Sequence, residues 1–106
     1  MDTRYHIAVN IRTPEGMLEV GKFYLGTDHG FAHTAFSRLR GTESAAEYPA
    51  IRLDLLGTPG DELPVCLKSI ICTLDEYTEN CRIITREAFR HFMFDAPVDE
   101  GTLGVP

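Results

Sequence analysis

Long hydrophobic runs are missing from this chain, whose apolar stretches extend over only a few residues. A bilayer crossing needs about 20 consecutive apolar residues, so no membrane-spanning segment is expected. Cysteine is sparse and odd in number: Cys66, Cys72 and Cys81 form neither the paired set of a secreted disulfide framework nor the C-x-x-C spacing of a zinc knuckle or redox site. Reduced thiols and a cytoplasmic setting are the expectation, and Met1-Asp2-Thr3-Arg4-Tyr5 lacks the basic-then-apolar pattern of a secretory signal. Excess positive charge is absent as well. The formal charge of −6 argues against nucleic-acid binding, because neutralising phosphates requires clustered Lys and Arg.

Signatures of catalysis are also lacking. There is no Gly-x-Ser-x-Gly elbow, dinucleotide-binding fingerprint or EF-hand loop. Gly57-Thr58-Pro59-Gly60 lacks the Lys-Ser/Thr of a phosphate loop, and Pro59 removes a backbone donor. No cofactor is expected, and the balance leans away from an enzyme.

What the chain does contain is an ordinary globular composition: 106 residues, 43% hydrophobic and 25% charged. This suits one domain over residues 1–106, able to bury a core without metal or disulfide staples. Charge is unevenly spread. Residues 1–40 carry five basic and four acidic side chains (net +1), and residues 41–106 carry five and twelve (net −7).

Tyr5, Ile7, Val9 and Ile11 alternate with His6, Ala8, Asn10 and Arg12 as in a half-buried strand. Thr13-Pro14-Glu15-Gly16 is turn chemistry leading to a second strand, Met17 to Leu25. Phe23 and Leu25 share a face with Leu18 and Val20 only if a bulge falls near Gly21. Asp28 is a candidate N-cap for an amphipathic helix built on Phe31, Ala32, Ala35, Phe36 and Leu39 and ending before Gly41. Residues 41–49 read as a polar loop with a short helical turn over Glu43 to Glu47.

Ile51, Leu53 and Leu55 form a third strand, broken by the turn residues from Gly57 to Pro64. The fourth strand, Val65 to Cys72, is apolar on both faces, so it is either central or covered by a partner. Thr73-Leu74-Asp75-Glu76 matches a capping box, and Leu74, Tyr77, Cys81, Ile84, Ala88 and Phe92 recur at helical spacing through one long helix. A rival reading makes Arg82 to Thr85 a short strand, because Ile83-Ile84-Thr85 is β-branched. Residues 96–106 are expected to be a loosely held tail. The fold expectation is therefore α+β: a mostly antiparallel four-stranded sheet in the order strand-strand-helix-strand-strand-helix, with both helices on one face.

Three places could carry chemistry. His29 and His33, four residues apart on a helix, resemble half of a metal site, although a helix-edge histidine more commonly packs its ring there. Cys72, just before a capped helix start, is the best placed of the three thiols for a nucleophile, against the ordinary reading of a buried core cysteine. The sheet face away from the helices is expected to hold His6, Asn10, Arg12, Lys22, Tyr24, Arg52, Asp54 and Lys68, a mixture suited to a partner protein or a small anion. Ile70 is expected in an interface around the fourth strand. The functional expectation is a small acidic interaction module, a homo-oligomer or a binder of another protein, with a metal- or cysteine-dependent enzyme as the alternative.

Overall fold

The computed structural model describes residues 2–43 and 50–95. Its elements follow in the order β1 (Thr3–Thr13), β2 (Gly16–Gly26), α1 (His29–Ser37), β3 (Ile51–Pro59), β4 (Val65–Cys72) and α2 (Leu74–Arg90), then a π-helical turn over His91–Asp95. The class is α+β, with one antiparallel sheet ordered β2-β1-β3-β4. The hairpins β1-β2 and β3-β4 are local, and α1 lies on the connection that takes the chain from the outer strand β2 past β1 to β3.

The alternation in β1 decides what is buried. Tyr5, Ile7 and Val9 stand opposite Gly57, Leu55 and Leu53 of β3, and this face meets Leu25, Ala32 and Phe36 from one side of the chain and Cys72 and Ile84 from the other. Ile7, Leu25, Leu53, Leu55 and Ile84 are fully buried there. Burying a side chain of this size contributes about 1.5–3 kcal/mol, so these five residues dominate the folding of the domain.

Asp28 caps α1 by accepting a hydrogen bond from the Phe31 N–H at 3.0 Å. The capping box at α2 is complete: Thr73 Oγ1 accepts from the Glu76 N–H at 3.1 Å, and Glu76 Oε1 accepts from the Thr73 N–H at 2.9 Å. β1 pairs Val9 with Gly21 and Asn10 with Glu19, which leaves Val20 as the extra residue of a bulge beside Gly21. A second bulge leaves out Leu25 and turns that side chain into the core.

Two sequence readings need correction. β3 does not stop at Leu55, because Gly57, Thr58 and Pro59 continue it opposite Tyr5, Arg4 and Thr3. Pro59 is tolerated because it is the last strand residue, and the reversal comes at Gly60, whose φ of +50° favours glycine. The strand alternative for Arg82 to Thr85 also fails. Ile83 and Ile84 are buried within the single helix α2, so packing outweighs their preference for extension. The helical turn expected over Glu43 to Glu47 falls mostly, and the tail 96–106 wholly, outside the described residues. The part of the 41–49 loop that is described pairs Thr42 with Ile71, at the end of β4.

Candidate functional site

The sheet face opposite the core is organised around one carboxylate. Asp54 is 7% exposed and stands between Ala8 of β1 and Ser69 of β4. It accepts hydrogen bonds from Asn10 Nδ2 at 3.0 Å, from Arg52 Nε at 3.0 and 3.2 Å, and from Ser69 Oγ at 2.6 Å. The Cys66 thiol lies 3.3 Å from the same Ser69 hydroxyl. A carboxylate is acceptor-only, so these donors occupy most of its lone-pair capacity. Asp54 and Arg52 therefore tie three strands together more readily than they could engage a ligand.

Further along this face the strand register groups a different set. Arg4 stands opposite Thr58, His6 opposite Tyr24 and Leu56, and Ala8 opposite Lys22. A cavity of about 400 Å³ is lined by Arg4, His6, Lys22, Tyr24, Thr58 and Pro64. Burial first, and then the Lys22 charge, hold the His6 imidazole below its ordinary value, with Arg4 adding to and Glu19 opposing the effect. Its Nε2 atom is enclosed without a hydrogen-bond partner among the described residues. Arg12 follows Asn10 by two residues on β1, opposite Met17, at the other end of the face.

Lys68 and Ile70 belong elsewhere. They stand opposite Leu55 and Leu53, whose side chains fill the core, because Cys72 and Ile70 packing toward the core draw their alternation partner Lys68 to the same side. A bulge at Leu67, between the Leu55 and Leu56 pairings, then reverses the phase, so that Cys66 shares the outer face with Ser69. The Lys68 charge acts instead on His33, whose imidazole is held low by burial first, then by His29 and Lys68.

The His29 and His33 rings are 4.2 Å apart between centroids, so the helical spacing does bring them together. The Tyr5 hydroxyl and His29 Nδ1 share a 3.0 Å hydrogen bond, which occupies one potential metal ligand. Among the described residues no third His, Cys, Asp or Glu joins the pair. Cys72 is buried, and burial pushes its thiol up to about 11, with the Glu76 carboxylate adding to the shift. Burial and the Glu76 carboxylate thus favour the protonated thiol over the thiolate that a nucleophile requires.

β4 is the most exposed element. It is an outer strand, its residues Val65 to Ser69 are all exposed, and Leu63, Val65 and Leu67 are 84, 52 and 40% accessible. The opposite edge, β2, exposes Leu18 and Val20 but is interrupted by two bulges and carries Glu19 and Lys22. A larger groove of about 640 Å³ along α2 sets Phe89 and Phe94 among Arg82, Arg86 and Arg90. Those guanidinium groups lie within 3.8 Å of Glu79 or Glu87.

Sequence reasoning missed Arg4 and Thr58, because it started the first strand at Tyr5 and ended the third at Leu55. It also missed Asn80, which is fully buried and clamps the chain leaving α1 by accepting from the Arg40 N–H at 2.7 Å and donating to the Arg40 carbonyl at 2.8 Å. A polar residue inside the apolar stripe of α2 was the available signal. No helix among the described residues is long and apolar enough to cross a membrane. No protein-family model matches the chain, and no curated protein or solved structure shows significant similarity to it.

Proposed function

We propose that the chain is a small acidic, intracellular interaction module that self-associates: both helices cover one face of the sheet, and the β4 edge receives the same edge of a second copy. The observation that carries this reading is the run Val65 to Ser69, an exposed outer strand with apolar side chains at Val65 and Leu67 beside the exposed Leu63. An outer strand offers a row of unpaired N–H and C=O groups that another strand can satisfy. Identical antiparallel edges are self-complementary about a two-fold axis, so a second copy fits without any other partner. A register centred on Leu67 sets Lys68 opposite Cys66 of the second copy, which keeps the like charges from facing each other directly.

The bulge at Leu67 and the two hydrogen bonds joining Thr42 to Ile71 limit the free edge to a short run. The contact should therefore be smaller than the about 1,200 Å² of stable complexes, with a dissociation constant in the micromolar range. Metal- or cysteine-dependent chemistry has less behind it, since His29 is engaged by Tyr5 and the Cys72 thiol is buried.

Light scattering coupled to gel filtration tests the proposal. At tens of micromolar the wild type should show a mass approaching two chains. Leu67→Lys should return one chain, because it adds a charge beside Lys68 on the pairing edge. Leu18→Lys, on the β2 edge, should leave the two-chain mass intact. A one-chain mass for the wild type, or dissociation by Leu18→Lys alone, would overturn the assignment. Ile70 is unsuited to this test, because it packs against the core and a charge there would unfold the domain.

A further inference from the structure

The cavity beside His6 is cationic in a protein of net charge −6. Arg4, His6 and Lys22 come from the amino-terminal part of the chain, where basic residues outnumber acidic ones. The register of β1 with β2 and β3 gathers them with Tyr24 and Thr58 around one opening, and among the described residues no acidic side chain lines it. Glu19 is an acidic group that acts on the His6 ring. It meets Lys22 only at 3.8 Å, with both side chains about half exposed, an arrangement that neutralises little. Arg4 donates from one terminal nitrogen to the Gly60 carbonyl at 3.2 Å, which steadies the guanidinium and leaves other N–H groups for a ligand.

One group in the wall has unmet hydrogen-bonding capacity. His6 Nε2 has neither solvent nor a partner among the described residues. Thr58, nine-tenths buried, lines the same wall. Buried polar groups are ordinarily satisfied, and an unpartnered imidazole nitrogen on a residue lining a cationic cavity is a group that a bound acceptor satisfies.

We propose that this cavity binds a small phosphate monoester of about sugar-phosphate size, with Arg4, Lys22 and His6 on the phosphate and the Tyr24 ring against the remainder. Charge matching selects the phosphate. A monoester carries about −1.5 to −2 at neutral pH, which matches the two permanent cations Arg4 and Lys22, whereas a monocarboxylate would leave one of them uncompensated. Volume limits the rest of the molecule, since about 400 Å³ lies near the lower end of small-molecule sites and exceeds what a phosphate alone would fill.

Proton linkage follows from the same geometry. The groups acting on the His6 ring are Arg4 from β1 and Lys22 and Glu19 from β2, while the neighbouring Thr58 of β3 is uncharged. Their net effect opposes protonation in the empty site. A bound dianion reverses it, so the ligand raises the His6 pKa.

The test is a proton–nitrogen NMR titration of the full chain at low ionic strength with ribose 5-phosphate, inorganic phosphate and acetate. Ribose 5-phosphate should give saturable shifts centred on Arg4, His6, Lys22, Tyr24 and Thr58, at least about tenfold tighter than inorganic phosphate, and acetate should give none. The His6 ring pKa should rise in the complex. Arg4→Gln with Lys22→Gln should weaken binding about tenfold or more while the remaining spectrum keeps its dispersion, since both side chains are exposed. Non-saturating shifts scattered over surface lysines and arginines, equal affinity for the two phosphates, binding of acetate, or undiminished binding by the double variant would each overturn the proposal.

Discussion

Replacing Asp54 by alanine should be among the most damaging single changes outside the apolar core. The substitution removes an acceptor that serves Asn10, Arg52 and Ser69, all at 3.2 Å or less. Breaking a buried ion pair by removing one partner costs about 3–5 kcal/mol, and each orphaned buried donor costs about 1–3 kcal/mol. Arg52 is 39% exposed and recovers water, while the Asn10 amide, in a residue only 7% exposed, does not. The net loss should be about 3–4 kcal/mol, out of a total of about 5–15 kcal/mol for a domain of this size. With a urea m-value near 1.5 kcal/mol/M, the unfolding midpoint should drop by about 2–3 M. Ser69→Ala removes one donor and leaves the carboxylate paired, so it should cost about 1 kcal/mol. Urea denaturation followed by circular dichroism reads both variants. A loss below about 1 kcal/mol for Asp54→Ala, or one no greater than that of Ser69→Ala, would refute the view that this carboxylate ties the three strands together.

Thr73→Ala removes the capping box at α2 and should cost about 0.5–2 kcal/mol, measured as a shift in the same urea midpoint. His6 and His33 are both held below their ordinary values in the folded chain, so the unfolded chain binds more protons as the pH falls. Stability should be fully present above about pH 6.5 and decline below it, and thermal melts of His33→Gln should show a shallower acid decline than the wild type. Cys72 is the opposite case, with its thiol pushed up to about 11, while the Tyr77 hydroxyl is pushed up to about 12 by its hydrogen bond to Cys81 and by burial. Their stabilising effect should be complete below about pH 9 and fade as the pH rises toward those values, and Cys72→Ala should flatten this alkaline slope. At neutral pH a thiol reagent should modify the exposed Cys66 quickly and Cys72 only at the rate of unfolding, a difference that mass mapping of the labelled peptides would resolve.

Features written in local sequence were legible. The alternation from Tyr5 to Ile11, the bulge beside Gly21, the Asp28 cap and the Thr73–Glu76 box each depend on residues a few positions apart, and each is present in the structure. Pro59 and Gly57 misled because a strand-breaking residue is harmless at a strand's end, and the length of β3 is set by pairing with Thr3 to Tyr5 rather than by its own residues. The Asp54 network joins residues 44 and 15 positions apart, so the carboxylate could be named as a candidate but its partners Asn10 and Ser69 could not be assigned to it. Lys68 was assigned to the wrong side because its position follows from Ile70 and Cys72 packing into the core. The sequence also left open whether the fourth strand is central or covered by a partner; it is an outer strand, with Val65 to Ser69 exposed.

Concentration-dependent amide hydrogen exchange tests self-association through β4 most directly, because it reads the hydrogen bonds that a second copy would form. As concentration rises from below to above the micromolar range, the amides of Val65 to Ser69 that face away from β3 should become protected. The outward amides of the other edge, β2, should exchange at an unchanged rate. Rapid exchange of both edges at every concentration, or protection that builds on β2 instead, would contradict the account.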